Sequence, residues 1–244
     1  MYIIDAHMIR TFATTTPKVT KLHLPVKLIS NLTDITEGVI AVYENGVPFS
    51  RQKYKNGVGA YQPVLNIISK LIYDYFNNEP NTPNTQLNFD IFHEKLCNTF
   101  LTINAERLVH GVPPLTYGNA QKFINVVFKY LTCYADYSDY ADLFSHCHMP
   151  IDRYVLTYFA NVAGVRGCRS NPYPKYNGSS WSKLSAVDYK KLVNNYRTVL
   201  MPLYPDFSML HLEYYIWDAI RSGRVGPFTP IPTVHATSIA EFYM

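Results

Sequence analysis

The segment Gln62 to Phe76, QPVLNIISKLIYDYF, most narrows what this chain can fold into. Its apolar residues Val64, Ile67, Ile68, Leu71, Ile72 and Tyr75 recur at intervals of three and four, the spacing that gathers side chains on one face of an α-helix. A stripe of that length has to be buried against other elements. Pro63 suits the first turn, where its missing N–H costs nothing.

The same period recurs downstream. It predicts a helix from Phe89 to Arg107, with Ile91, Phe92, Leu96, Phe100 and Ile103 on one side, and another from about Asn119 to Tyr134. Pro150-Ile151-Asp152 opens a helix running to about Val162, Ser185 caps one running to about Leu200, and a last one runs from Phe207 to Ser222 and stops at Gly223. Polar or proline-broken loops separate these elements: Asn77 to Thr85, Gly111 to Gly118, and Gly164 to Ser180. The expected fold class is mainly α, a helical domain over 61–244 that is continuous with, or joined to, what precedes it.

The first 60 residues have a different texture, rich in Thr, Val and Pro. Gly38 to Val42 followed by Glu44-Asn45-Gly46 predicts a strand with an Asn-Gly hairpin turn, and Pro48 keeps the second strand short or at an edge. Residues 1–60 are therefore expected to form a small N-terminal β/loop region.

Composition decides the class of environment. With 48% hydrophobic and 16% charged residues, the chain has the makings of a packed core rather than of solvated tails. No apolar run approaches the ~18 residues of a membrane span. The short apolar stretch at the start is broken by Asp5, His7 and Arg10, so no secretory signal is expected. Cys97, Cys133, Cys147 and Cys168 have no CxxC spacing, which fits free thiols in a cytoplasmic protein. The 21 tyrosines are first of all core and surface filler, with base stacking as the sharper use, and Trp181 and Trp217 are expected as core anchors.

The net charge of +4 is compatible with a polyanionic partner without demanding one. The excess lies after Pro150, where 10 Lys/Arg face 6 Asp/Glu, against 12 of each before it. Arg166, Arg169 and Lys175 interleave there with Tyr173 and Tyr176, a composition suited to phosphates and stacked bases or to an ordinary solvated loop. His146-Cys147-His148 invites comparison with zinc ligands, but no second pair stands at ligand spacing, so neither metal nor cofactor is expected. Gly-rich phosphate loops, nucleophile elbows and HExxH motifs are missing, which disfavours kinases, P-loop enzymes, serine hydrolases and zinc proteases.

The segment richest in chemistry runs from Leu115 to Leu156. On a helical wheel Gly118, Lys122, Asn125 and Lys129 share one side, while Phe123, Val127, Tyr130 and Leu131 share the other. A glycine at the start of the polar stripe would let a large ligand approach unpaired N–H groups at the helix N-terminus, a phosphate site in waiting.

Ala120-Gln121-Lys122, then Lys129 after six further residues, then Met149-Pro150-Ile151-Asp152 at a helix start resembles the helix-hairpin-helix DNA glycosylases, especially the archaeal 8-oxoguanine type. The stretch 115–156 carries this resemblance, with Pro114-Leu115-Thr116-Tyr117-Gly118 standing where that family has Leu-Pro-Gly-Val-Gly. The resemblance implies a helix-hairpin-helix-like element, Lys122 and Asp152 as catalytic pair, and duplex DNA with a damaged base as partner. Tyr117, Gly118, Asn119, Lys129, Arg153, Arg166 and Arg169 become the expected DNA contacts. In such chemistry a lysine amine, having shed its proton, displaces the base from the sugar and leaves a Schiff base, while the carboxylate steadies charge or relays protons. A second expectation, from another class, is a non-catalytic helical protein that binds nucleic acid or a host protein, as a phage or mobile-element factor would. In that case the lysines are a solvated helix face and Asp152 is an ordinary helix cap.

Overall fold

The computed structural model describes residues 27–45, 62–77, 84–105, 114–152, 155–156, 181–205 and 207–221. Seven α-helices are found there and no strand, in agreement with a mainly α fold. They are α1 (Leu32–Asn45), α2 (Gln62–Asn77), α3 (Gln86–Ile103), α4 (Tyr117–Leu131), α5 (Ala141–Ser145), α6 (Ala186–Asn195) and α7 (Met209–Arg221). None of them is long and apolar enough to cross a membrane.

Local chemistry fixes the helix starts. Thr85 accepts a hydrogen bond from the Asn88 amide, and Ser185 accepts one from the Asp188 amide, each satisfying an otherwise orphaned donor. At α4 the arrangement is reciprocal: Thr116 Oγ1 accepts from the Asn119 amide, and Asn119 Oδ1 accepts from the Thr116 amide. α6 gives way after Asn195 to a π-turn over Tyr196–Leu200 and a short 3-10 turn over Met201–Leu203.

α4 sits at the centre, flanked by α1, α3, α6 and the 3-10 turn Trp181–Lys183. Twelve of its residues are buried, so it is enclosed on nearly every side rather than along one stripe. Phe123 stacks on Phe100 at 4.5 Å between centroids, and Phe128 packs on Phe89 at 5.4 Å. Full burial of each such ring is worth about 1.5–3 kcal/mol.

The strand expected at Gly38 to Val42 is a helix. Ile35, Val39, Val42 and Tyr43 are buried, which is a helical repeat running through residues that also read as a strand. β-branched residues disfavour a helix by less than about 0.7 kcal/mol each, whereas burying Val39 and Val42 against α2 and α4 returns more. Asn45 ends α1 and the expected turn residue Gly46 lies outside the described residues. α1 shares one continuous apolar core with α2 to α7. The segment before it is tied to Asp136, whose carboxylate accepts from the Ile29 amide at 2.7 Å, the Ser30 amide at 3.0 Å and the Ser30 hydroxyl at 2.9 Å.

Among the described residues the tyrosines are mainly interior groups, several with anchored hydroxyls. Tyr134 donates to the Asp34 carbonyl at 2.8 Å, Tyr140 to Asn77 Oδ1 at 2.6 Å, and Tyr214 to the Lys129 carbonyl at 2.8 Å. A buried phenol retains its apolar gain only when its hydroxyl finds a partner.

Candidate functional site

α4 and the segment Met149–Asp152 lie side by side. Lys122 Nζ stands 3.1 Å from Asp152 Oδ2, so the two residues expected to act together do meet, although thirty positions separate them. Asp152 Oδ1 accepts from the Val155 amide at 3.1 Å and the Asp152 carbonyl from the Leu156 amide at 2.9 Å, which makes Asp152 the cap of a helical turn. The remainder of the helix expected to run to Val162 lies outside the described residues.

The ammonium of Lys122 also faces the Trp181 ring, 4.7 Å from its centroid. Lys122 and Asp152 keep 15% and 18% of their side-chain surface, enough to be reached from solvent. Lys129 is different. It is 4% exposed, ion-paired with Glu213 of α7, and placed 4.4 Å from the Tyr214 ring centroid and 5.1 Å from that of Trp217. Burial pushes the Glu213 carboxyl above its ordinary value; Lys129 and Lys122 oppose that shift and Asp152 adds to it. The Glu213 carboxyl therefore feels Lys122 and Asp152 as well as its own partner.

The helix N-terminus expected to admit a phosphate is occupied. The Gly118 amide donates to the Leu184 carbonyl at 3.0 Å, and a Cβ at Gly118 would overlap the Trp181 carbonyl oxygen. Asn119 is consumed in the capping box, and Tyr117 is buried. Tyr117, Gly118, Asn119 and Lys129, expected at a DNA surface, thus serve the interior and the cap of α4. The glycine is there so that the protein's own chain can come close. Arg153, Arg166 and Arg169, together with Lys175, Tyr173 and Tyr176, lie outside the described residues.

Asn125, placed by the helical wheel on a polar stripe, is fully buried in a network of polar side chains. Its carbonyl accepts from His93 Nε2 at 2.9 Å, and its amide donates to the Tyr189 hydroxyl at 3.0 Å and to Gln121 Oε1 and the Met149 carbonyl, both at 3.2 Å. The Tyr189 hydroxyl meets His148 Nδ1 at 2.7 Å, and His148 Nε2 lies 2.8 Å from both Asp90 Oδ1 and Arg197 Nη2. Arg197 closes the chain with two bonds of 2.7 Å to the Asp90 carboxylate. Burial lowers both His93 and His148, keeping them neutral. Burial alone would raise Asp90, but bonds from His148 and Arg197 hold its carboxyl well below the usual carboxylate range.

Cys147 is buried with its thiol pushed well up by that burial, an inert core group between His146 and His148. Among the described residues no group of three His, Cys, Asp or Glu side chains is arranged to hold a metal ion. Trp181 and Trp217 both pack against the core with part of their surface exposed, and each presents a ring to a lysine, a use the sequence alone did not signal. Nothing in the sequence marks Glu213, because no local pattern links it to Lys129 across 84 positions. No protein-family model, curated protein or solved structure matches the chain.

Proposed function

We propose that this protein is a DNA glycosylase with lyase activity that removes an oxidised purine through a Schiff base on Lys122. The observation that supports this most is the Lys122–Asp152 pair itself: an amine and a carboxylate at 3.1 Å, both partly open to solvent. Asp152 takes the ammonium proton, the free amine attacks C1′ of the damaged nucleotide, and the bond from C1′ to the base breaks. The departing base recovers a proton from Asp152. Opening of the sugar ring then leaves an iminium at C1′, from which elimination cuts the strand. The base must first leave the duplex, at a cost of a few kcal/mol.

Borohydride trapping tests the proposal. The protein is incubated with duplex DNA holding 8-oxoguanine or an abasic site, reduced, and examined for a covalent adduct beside Lys122→Gln. An adduct that disappears in the variant supports a lysine-based mechanism. Folded wild-type protein that gives no adduct overturns it, and the pair is then a structural ion pair. The second reading, a non-catalytic binding protein, draws on Leu87 and Ile91, which stand one turn apart on α3 and are 68% and 58% exposed.

A further inference from the structure

Gln121 precedes Lys122 on α4, and Ile151 precedes Asp152 on the neighbouring segment. The two dipeptides lie opposite each other: Lys122 meets Asp152, and the Gln121 amide meets the backbone of Ile151. Gln121 Oε1 accepts from the Ile151 N–H at 3.1 Å, and Gln121 Nε2 donates to the Ile151 carbonyl at 2.7 Å. One side chain thus takes both polar groups of one residue, as a neighbouring strand would. The Gln121 side chain is fully buried, and its orientation is fixed twice more, by Nε2 donating to the Gly118 carbonyl at 3.0 Å and by Asn125 donating to Oε1 at 3.2 Å. Asn125 also donates to the Met149 carbonyl at 3.2 Å, so the segment is held at two points, two residues apart.

We infer that Gln121, backed by Asn125, is a positioning residue that sets the Asp152 carboxylate opposite Lys122. The physical reason is register. A slip that set Pro150 opposite Gln121 would offer no N–H, and would take from Gln121 Oε1 its backbone partner. Loss of that bond at a buried amide disfavours such a slip by a factor on the order of five, and Asn125 alone remains to satisfy Oε1. This assignment rests on the reading of Lys122 and Asp152 as the reacting pair for its consequence in catalysis, but its geometry can be tested without DNA.

The test is the resonance of Lys122 after reductive ¹³C-methylation, assigned with Lys122→Arg and followed in the intact protein. Asp152→Asn defines where the signal falls when the carboxylate is lost. In Gln121→Met, which keeps the length but has no amide, the signal is expected to move to the Asp152→Asn position. In Gln121→Glu the buried side chain is expected to restore the wild-type signal in mildly acid buffer, where a protonated carboxyl can both donate to the Ile151 carbonyl and accept from its N–H, and to lose it in alkaline buffer. A Lys122 signal unchanged in folded Gln121→Met overturns the inference. So does a Gln121→Glu signal that does not change with pH, which decides the matter if Gln121→Met fails to fold. A missing borohydride adduct would instead count against the glycosylase reading and leave this result standing.

Discussion

Lys129 and Glu213 form an ion pair inside the protein, between the last turn of α4 and α7, with the Tyr214 and Trp217 rings beside the ammonium. Lys122, two turns earlier on the same face of α4, has its carboxylate at the edge of the core instead. Two lysines seven positions apart thus have the same kind of partners and differ in depth.

Breaking the deeper pair is expected to be costly. Lys129→Met or Glu213→Leu alone strands a buried charge and should lower stability by about 3–5 kcal/mol, whereas the double variant should lose far less, because neither charge is left unpaired. Urea unfolding of the three variants measures this.

Asp152→Asn should behave differently. Asparagine remains a good helix cap, and a pair with this much exposure contributes about 0–1 kcal/mol, so unfolding should shift by no more than that. Adduct formation with an abasic-site duplex, however, should slow at least about a hundredfold, the smaller end of what acid–base help supplies. Equal losses in stability and rate would place Asp152 in the scaffold alone.

Gly38→Ala is expected to destabilise through a collision with Tyr134, whose hydroxyl occupies the space a Cβ would need. Overpacking of this kind costs about 1–3 kcal/mol. Removing the hydroxyl in Gly38→Ala/Tyr134→Phe should recover part of the loss, while Gly118→Ala has no such remedy because backbone atoms of Trp181 and Ser182 crowd it. Thermal unfolding of the four proteins distinguishes the cases.

Acid should weaken the fold through its buried histidines. Burial lowers His211 to about 4, and His93 and His148 are also held below 6.5. The unfolded chain therefore binds more protons as pH falls from 6.5 towards 4, and the stability these neutral rings carry above 6.5 drains away across that window. Asp90, lowered in the folded state, adds its own loss below 3.8, while Glu213, raised by burial, works the other way as acidification relieves it. The free energy of unfolding measured across this range should fall on acidification, and His211→Leu should flatten the slope. A flat wild-type profile would contradict the buried, neutral state of these rings.

The sequence by itself determined the helices whose period and caps are local: α2 from its apolar stripe and Pro63, α6 from Ser185, and α7, found within two residues of its expected bounds. It also paired Lys122 with Asp152, through the resemblance carried by 115–156 rather than through any local period, and the two side chains meet. What lay beyond it was depth and pairing. Asn125 and Lys129 look like a solvated stripe until α3, α6 and α7 close over them, and Gly118 looks like an opening until residues 181–184 fill it. Gly38 to Val42 reads as a strand, and packing against α2, α4 and Tyr134 makes it a helix. A pattern of polar and apolar residues fixes which face a helix buries first, but whether the opposite face meets water or another helix is decided by elements far along the chain.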